Sequence, residues 1–399
     1  MKRATPGAGR FSLADAPCVV DIINLSSSAD TLLRERVLAM RARGIDNHIV
    51  CMPGPYVRPL REAGIPVATA DFPRGYNPVK LLVSLFQTVN YLRHVKADLV
   101  HTHCSVPGVV GRLAAKLVGV PVIMHTVHGF HFHDGGQGFS HSLAIAVERF
   151  VGRFTEIMLS QNRADIEQAV RYGIVRRERL VYIGNGIDVH RFPVAPTRMG
   201  TERSPVITCV ARMEPVKNHG MLLEAAKLLK DSGATFELWL IGGGGGRAEL
   251  EARCAEWGLS ENVRFLGYRD DIPMLLSRSD IGTLTSLKEG IPRAALEAMV
   301  VGLPVVATRV NGTREVVRDG DTGFLVEVGD VKGLANAFER LLVNPALRAR
   351  MGERGRRVVL AEYDEADIVS NLERVYRDVL SRRGIVAPAP AAMSREVSA

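Results

Sequence analysis

The feature that most constrains this chain is a rhythm: short Val- and Ile-rich apolar runs separated by longer amphipathic stretches, stopping once and then starting again. Runs at 18–25, 47–51, 65–70, 98–102, 121–126, 156–159 and 179–183 alternate with helical periodicity at 30–43, 77–95 and 106–118. After a Pro-containing break the runs resume at 205–210, 235–241, 262–266, 280–284, 304–307 and 323–328. Continuous apolar runs between helices are the mark of parallel strands buried on both faces, so the chain is expected to be α/β, with two doubly wound parallel-sheet domains. Their expected extents are 17–190 and 205–363, joined by a linker at 191–204. A helix over 364–382 is expected to return to the first domain, and a Pro/Ala tail at 383–399 is not expected to pack. A cleft between the domains is the default ligand site.

Composition narrows the function. The five cysteines are scattered and never spaced as Cys-x-x-Cys, which argues against a disulfide framework and a zinc site and fits a reducing cytosol. Neither a signal-peptide apolar region nor a run approaching the ~20 apolar residues of a membrane span is present, so a cytoplasmic protein is expected. Residues 1–190 carry 22 Lys/Arg against 15 Asp/Glu, so most of the net charge of +8 sits in the first half. No RNA-recognition aromatic motif or recognition-helix signature accompanies that charge, and nucleic acid is not expected as a partner.

Four segments carry candidate chemistry. In 286–308, SLKEGIPRAALEAMVVGLPVVAT, a run ends in a loop holding Glu289, Gly290 and Ile291, and Pro292 opens a helix that also carries Arg293 and Glu297. Both glutamates can face the carboxyl edge of the sheet, where helix amides would meet a phosphate and a carboxylate could grip vicinal sugar hydroxyls. Two surface charges would read the same way in isolation. Arg212 and Lys217, directly after run 205–210, put two cations at that edge, where diphosphate is the natural counter-ion. Pairing of Arg212 with Glu214 is the structural alternative.

The glycines of IGGGGGRAEL, Gly243 and Gly244 among them, allow close backbone approach to a ligand, or form a plain turn. This is neither a dinucleotide fingerprint nor a P-loop. Finally, six of the eleven histidines, His101, His103, His125, His128, His131 and His133, lie within 33 positions. Their spacing is not that of a helical metal site, and Asp134 is the nearest carboxylate in sequence. A substrate contact is expected of His128.

Taken together, these residues resemble retaining glycosyltransferase family 4, whose GT-B architecture sets two Rossmann-like domains face to face across a cleft. The resemblance spans about 18–382 and rests on Glu289 and Glu297 with seven residues between them, the Arg212/Lys217 pair, the turn at Gly242 to Gly246, Asn-Gly-Ile-Asp at 185–188, Gly-Tyr at 267–268, and NGTRE at 311–315 followed by DGDTGFLV. It implies that Arg212 and Lys217 neutralise the diphosphate of a UDP-sugar, that Glu297 holds the ribose, and that Glu289 contacts the transferred sugar. Backbone around Gly267, Tyr268 and Arg269 would face the uracil, and His128 would approach the donor sugar and the acceptor.

HTHCSVPGVVGRLAAKLVGVP with TVHGF is similar to a branch that builds polysaccharides and glycolipids from UDP-sugars. Where members often carry a glycine pair, this chain has Ser26, Ser27 and Ser28, taken with His103 as weak acceptor or phosphate contacts. The implied reaction moves a hexosyl or N-acetylhexosaminyl group to a hydroxyl acceptor, either a lipid-linked glycan or a small molecule such as an aminocyclitol, with retention. Retention could proceed through a covalent adduct or by front-face attack. Metal-independent transfer without a cofactor is expected, no Asp-x-Asp candidate being read in the sequence. The segment 78–96 could lie on a membrane surface or cover the first sheet. The alternatives from other classes are a silent sugar-nucleotide-binding subunit and a sugar-nucleotide epimerase.

Overall fold

A computed structural model describes residues 16–73, 77–130, 138–194 and 203–386. His131, His133 and Asp134, the N-terminal residues 1–15, linker residues 195–202 and the tail from 387 lie outside the described residues. The chain divides into two compact units.

The first unit is built on β1 (Cys18–Ile22), β2 (Asp46–Cys51), β3 (Val67–Thr69), β4 (Leu99–His103), β5 (Val122–Val127), β6 (Ile157–Ser160) and β7 (Leu180–Tyr182). Their order is β3-β2-β1-β4-β5-β6-β7, all parallel. The second carries β8 (Val206–Val210), β9 (Glu237–Ile241), β10 (Val263–Gly267), β11 (Ile281–Leu284), β12 (Val305–Thr308) and β13 (Gly323–Val326), ordered β10-β9-β8-β11-β12-β13 and again parallel. Each run read from the sequence is thus a strand.

The strands are mainly apolar because both faces of each sheet are covered, and Asp21, Asn47, His101 and His103 are buried polar exceptions. In β2, Val50 joins a core with Val89 and Leu92 of the helix Pro78–Val95, while Ile49 and Cys51 point into another with Leu33, Val37 and Leu60. Chain direction across each sheet reverses once, between β1 and β4 and between β8 and β11. The carboxyl ends of those four strands flank the two reversals, and that is where open α/β sheets hold ligands.

Two details differ from the sequence reading. The helical stretch at 30–43 is two helices, Ser26–Leu32 and Arg34–Ala42, meeting at Leu33, so Ser26, Ser27 and Ser28 are a first helical turn. The division between units falls before Gly184, ahead of the Pro-containing break. The Asn-Gly-Ile-Asp segment is anchored in the second unit: Asn185 Nδ2 donates to the Ile291 carbonyl at 3.2 Å, and the Ile187 amide donates to the Tyr363 carbonyl at 3.0 Å. The helix Glu365–Arg382 gives its residues from Val369 onward to the first unit, where the Tyr376 hydroxyl meets His101 Nδ1 at 2.6 Å.

Candidate active site

The second unit places its chemistry at the β8/β11 reversal. From β8 the chain runs through Arg212 and Glu214 into a tight turn over Pro215–Lys217, then into the helix His219–Asp231. From β11 it runs through Thr285, Ser286 and Glu289 into the helix Arg293–Val300. The two loops are stitched together. The Leu287 amide donates to the Val216 carbonyl at 2.8 Å, and Thr285 Oγ1 donates to the Lys217 and Asn218 carbonyls at 3.1 and 3.0 Å.

Across that seam Lys217 Nζ lies 2.6 Å from Glu289 Oε1, which also accepts from Ser286 Oγ at 2.5 Å. Arg212 pairs with Glu214 at 2.6 Å and is mostly exposed, the pairing weighed as the structural alternative. Buried His219, beside Lys217, is pushed down to about 4 by burial first and by the lysine charge second, and is therefore neutral.

Glu297 lies one turn into its helix and is partly buried. Burial raises its carboxyl above the ordinary range, opposed by the charges of Arg293 and Arg191. No described residue hydrogen-bonds to or ion-pairs with that carboxylate, so its oxygens keep their full accepting capacity. Arg293 is instead 4.0 Å from Glu365.

Backbone packing explains the glycines. A Cβ on Gly244 would sit 2.6 Å from the Met213 carbonyl oxygen, at a φ of +146°. The Met213 amide donates to the Gly243 carbonyl at 2.8 Å, so the glycine turn is bound to the Arg212 loop. Gly243 has open space where a side chain would be, whereas Gly244 is tight against its own chain. Of the two, only Gly243 leaves room for a ligand. Gly267 closes the adjacent strand end, its carbonyl accepting from the Gly242 amide at 2.8 Å. Tyr268 beyond it is exposed, and Arg269 is paired with Asp271 at 2.7 Å.

Sequence reasoning named NGTRE without a role for its glycine. A Cβ on Gly312 would fall 1.1 Å from the Gly290 carbonyl oxygen, so the helix Asn311–Val316 is seated directly on the Glu289-Gly290 loop. Ile291 and Pro292 beyond it are buried. Contrary to the expectation that no Asp-x-Asp is present, the chain has one, Asp319-Gly320-Asp321. Its carboxylates are occupied by Arg309 and Arg354, both at 2.5 Å, which leaves them poorly suited to a cation.

In the first unit, the strand ends at the β1/β4 reversal bring histidines together. Asp21 on β1 receives Arg36 at 2.5 Å, His103 Nε2 at 2.8 Å and Asn47 Nδ2 at 2.8 Å. His103 Nδ1 is 3.1 Å from His128 Nε2. His103, expected as a weak acceptor or phosphate contact, is fully buried with both nitrogens engaged, which places it behind His128 instead of at the surface. Burial pushes His101, His103 and His125 well below the usual imidazole range. Asp21, His101 and His103 lie close enough to be imagined as metal ligands, but the Arg36 guanidinium on Asp21 would oppose a dication there. Ser26 is buried beside Gly54, where a Cβ would come within 2.2 Å of its hydroxyl, so packing occupies it; Ser27 and Ser28 are partly exposed.

Comparison with known proteins gives the family. Residues 199–358 match the family described as glycosyl transferases group 1, and residues 30–186 match the glycosyl transferase 4-like domain. The UDP-Gal:alpha-D-GlcNAc-diphosphoundecaprenol alpha-1,3-galactosyltransferase of Escherichia coli is 30% identical over 318 residues, covering 77% of this chain and 82% of its own. The chain belongs to glycosyltransferase family 4.

The transferase is also 30% identical over 292 residues to the 2-deoxystreptamine glucosyltransferase of Streptomyces kanamyceticus, covering 68% of this chain and 75% of the other. Its fold matches the crystal structure of Anabaena Alr3699/HepE in complex with UDP and glucose, with a TM-score of 0.78 at 21% identity, over 91% of this chain and all of that one. The architecture is therefore GT-B, and the chain is a glycosyltransferase.

Proposed function

We propose that the enzyme transfers a hexosyl or N-acetylhexosaminyl group from a UDP-sugar to a hydroxyl of a lipid-linked glycan, with retention and without a divalent metal. The observation that carries this reading is the meeting of Lys217 and Glu289 at 2.6 Å across the β8/β11 reversal, on the loop that leads to Glu297, which has no hydrogen-bond or ion-pair partner among the described residues. Breaking the anomeric bond builds negative charge on the departing diphosphate. Fixed cations aimed at that charge lower the barrier more in the transition state than in the ground state. Lys217 exchanges Glu289 for a phosphate oxygen when the donor binds, and Arg212 exchanges Glu214. Glu289, released, accepts from a hydroxyl of the sugar, while Glu297 accepts from the ribose diol. Gly243 and the Gly267-Tyr268-Arg269 backbone support the nucleotide. The relative from E. coli, whose name specifies a UDP-sugar donor and a diphosphoundecaprenol acceptor, supports the choice of substrates.

The helix Pro78–Val95 supports the lipid-linked acceptor. Its inner face buries Ser84, Thr88, Val89 and Leu92, while Leu82 and Phe86 stay 65% and 68% exposed. It holds no Asp or Glu and carries Lys80 and Arg93. The inner face covers the first sheet, and the exposed outer face supports the membrane-surface reading. The helix Phe139–Gly152, which begins with Phe139 at 83% exposure, likewise follows a parallel strand, so both helices start at the sheet edge that holds His103 and His128. Apolar side chains among basic ones suit an anionic bilayer surface. No helix among the described residues is long and apolar enough to cross a membrane, so the association we propose is peripheral, on the cytoplasmic face.

The test is transfer from a panel of radiolabelled UDP-sugars to a polyprenyl-diphosphate-linked sugar and, separately, to 2-deoxystreptamine, each with and without EDTA. Transfer to the lipid-linked acceptor that survives chelation is expected. Transfer confined to the aminocyclitol would overturn the acceptor, and loss with EDTA would overturn metal independence.

A further inference from the structure

We propose that His103 is a positioning residue which, backed by Asp21, holds His128 in the tautomer with its proton on Nε2 and its lone pair on Nδ1. The inference rests on the reading of His128 as a group beside the reacting sugar, and it specifies what that group can bind.

The Asp21 carboxylate accepts from Asn47 through Oδ2 and from Arg36 and His103 through Oδ1. A carboxylate so engaged has only lone pairs to offer, so His103 Nε2, at 2.8 Å, must carry a hydrogen. The reverse assignment would set two lone pairs against each other inside a fully buried site. Arg36 also approaches Nε2, but at 3.3 Å, against 2.5 Å to the carboxylate it bonds.

Buried His103 is neutral and has one ring proton, already placed on Nε2, so its Nδ1 is an acceptor. The group 3.1 Å away is His128 Nε2, which must therefore donate. His103 cannot turn to escape this assignment. Its ring lies 4.2 Å from that of His101, which is itself held by the Tyr376 and Thr126 hydroxyls at 2.6 Å each. Among the described residues the charged and titratable groups around His103 are thus Asp21, Arg36, His101, His125 and His128; His125 Nδ1 is engaged by the Thr102 hydroxyl at 2.8 Å, and one proton arrangement satisfies the hydrogen bonds that Asp21, His103 and His128 share. Whenever His128 is neutral, that arrangement leaves the lone pair on its Nδ1. That atom suits a hydroxyl, which can give it a proton, and does not suit a phosphate oxygen, which cannot.

The experiment uses the full chain labelled with nitrogen-15 histidine. Two-bond proton–nitrogen correlation spectra at pH 8 should show His103 and His128 both as Nε2–H tautomers; an Nδ1–H pattern for His128 in the wild type would overturn the proposal. Asp21→Asn and His103→Leu should lower kcat for transfer about 10- to 100-fold while KM for the UDP-sugar changes less than about threefold. Asp21→Asn should also mix the His128 tautomers. His103→Gln, whose amide can donate to Asp21 and accept from His128, should stay within about fivefold of the wild type. Equal kcat for His103→Leu and the wild type would overturn the proposal. If the leucine variant does not fold, the wild-type spectra still decide. The expected tautomers in a chain that transfers no sugar would uphold the proton order and overturn the enzymatic reading alone.

Discussion

Lys217 and Glu289, 72 positions apart, form an ion pair of 2.6 Å that ties the loop after β8 to the loop after β11. The pair is partly buried and has a third member, Ser286. A cation already desolvated and aimed at a sheet reversal loses little freedom when its partner changes from a carboxylate to a phosphate. Lys217→Ala should therefore cut transfer at least 100-fold, with Lys217→Arg recovering part of it. Stability should fall by only about 1–2 kcal/mol, because solvent screens part of the pair and Ser286 still serves Glu289. Thermal unfolding and initial rates on the same samples separate the two effects.

Glu297 should make UDP binding sensitive to pH. Its carboxyl is raised by burial, so it takes up a proton at a higher pH than an ordinary glutamate and then loses accepting capacity. Calorimetric titration from pH 8 to pH 5 should show affinity falling as the pH drops, and Glu297→Gln should flatten that slope while weakening UDP about tenfold at pH 8. An unchanged slope in the glutamine variant would remove Glu297 from the site.

Two glycines should separate packing from ligand contact. Gly312→Ala would drive a methyl to within 1.1 Å of the Gly290 oxygen, so the Glu289 loop must shift. A loss of roughly 3 kcal/mol or more and of most activity is expected. At Gly243 nothing lies within 4 Å of an added methyl, so Gly243→Ala should melt like the wild type. Reduced UDP affinity in that variant would mark the approach of a ligand.

Acid should destabilise both units. His101, His103 and His125 in the first and His219 in the second are buried and bind a proton less readily than in the unfolded chain. Stability is then complete above about pH 6.5 and falls with the pH toward the folded-state values, by about 1.4 kcal/mol per pH unit for each such histidine. Urea unfolding at pH 7.5, 6.5 and 5.5 should show the loss steepening below pH 6.5.

Leu82→Ser with Phe86→Ser should abolish flotation with vesicles containing about a third phosphatidylglycerol and leave transfer to a soluble acceptor analogue unaltered. Both side chains are mostly exposed, so the melting temperature should hold. Flotation equal to the wild type would remove this helix as the membrane contact.

The alternation of runs such as 98–102 and 121–126 with helical stretches was enough to read β4, β5 and the parallel class, because burial on both faces favours apolar residues on either side of a strand, here with His101, His103 and His125 as the exceptions. Arg212, Lys217, Glu289 and Glu297 were legible because each follows a strand closely, and the end of a parallel strand is where its loop must turn. Which partner each would take was not legible. Only the strand order, with β11 beside β8, brings Glu289 to Lys217, whereas Glu297 meets no hydrogen-bond or ion-pair partner among the described residues. His103 could be seen as one of a crowd of histidines. That it lies buried between Asp21 and His128 depends on β1, β4 and β5 lying side by side, and hydrogen-bond direction among those groups is a property of three-dimensional contact that linear spacing does not carry.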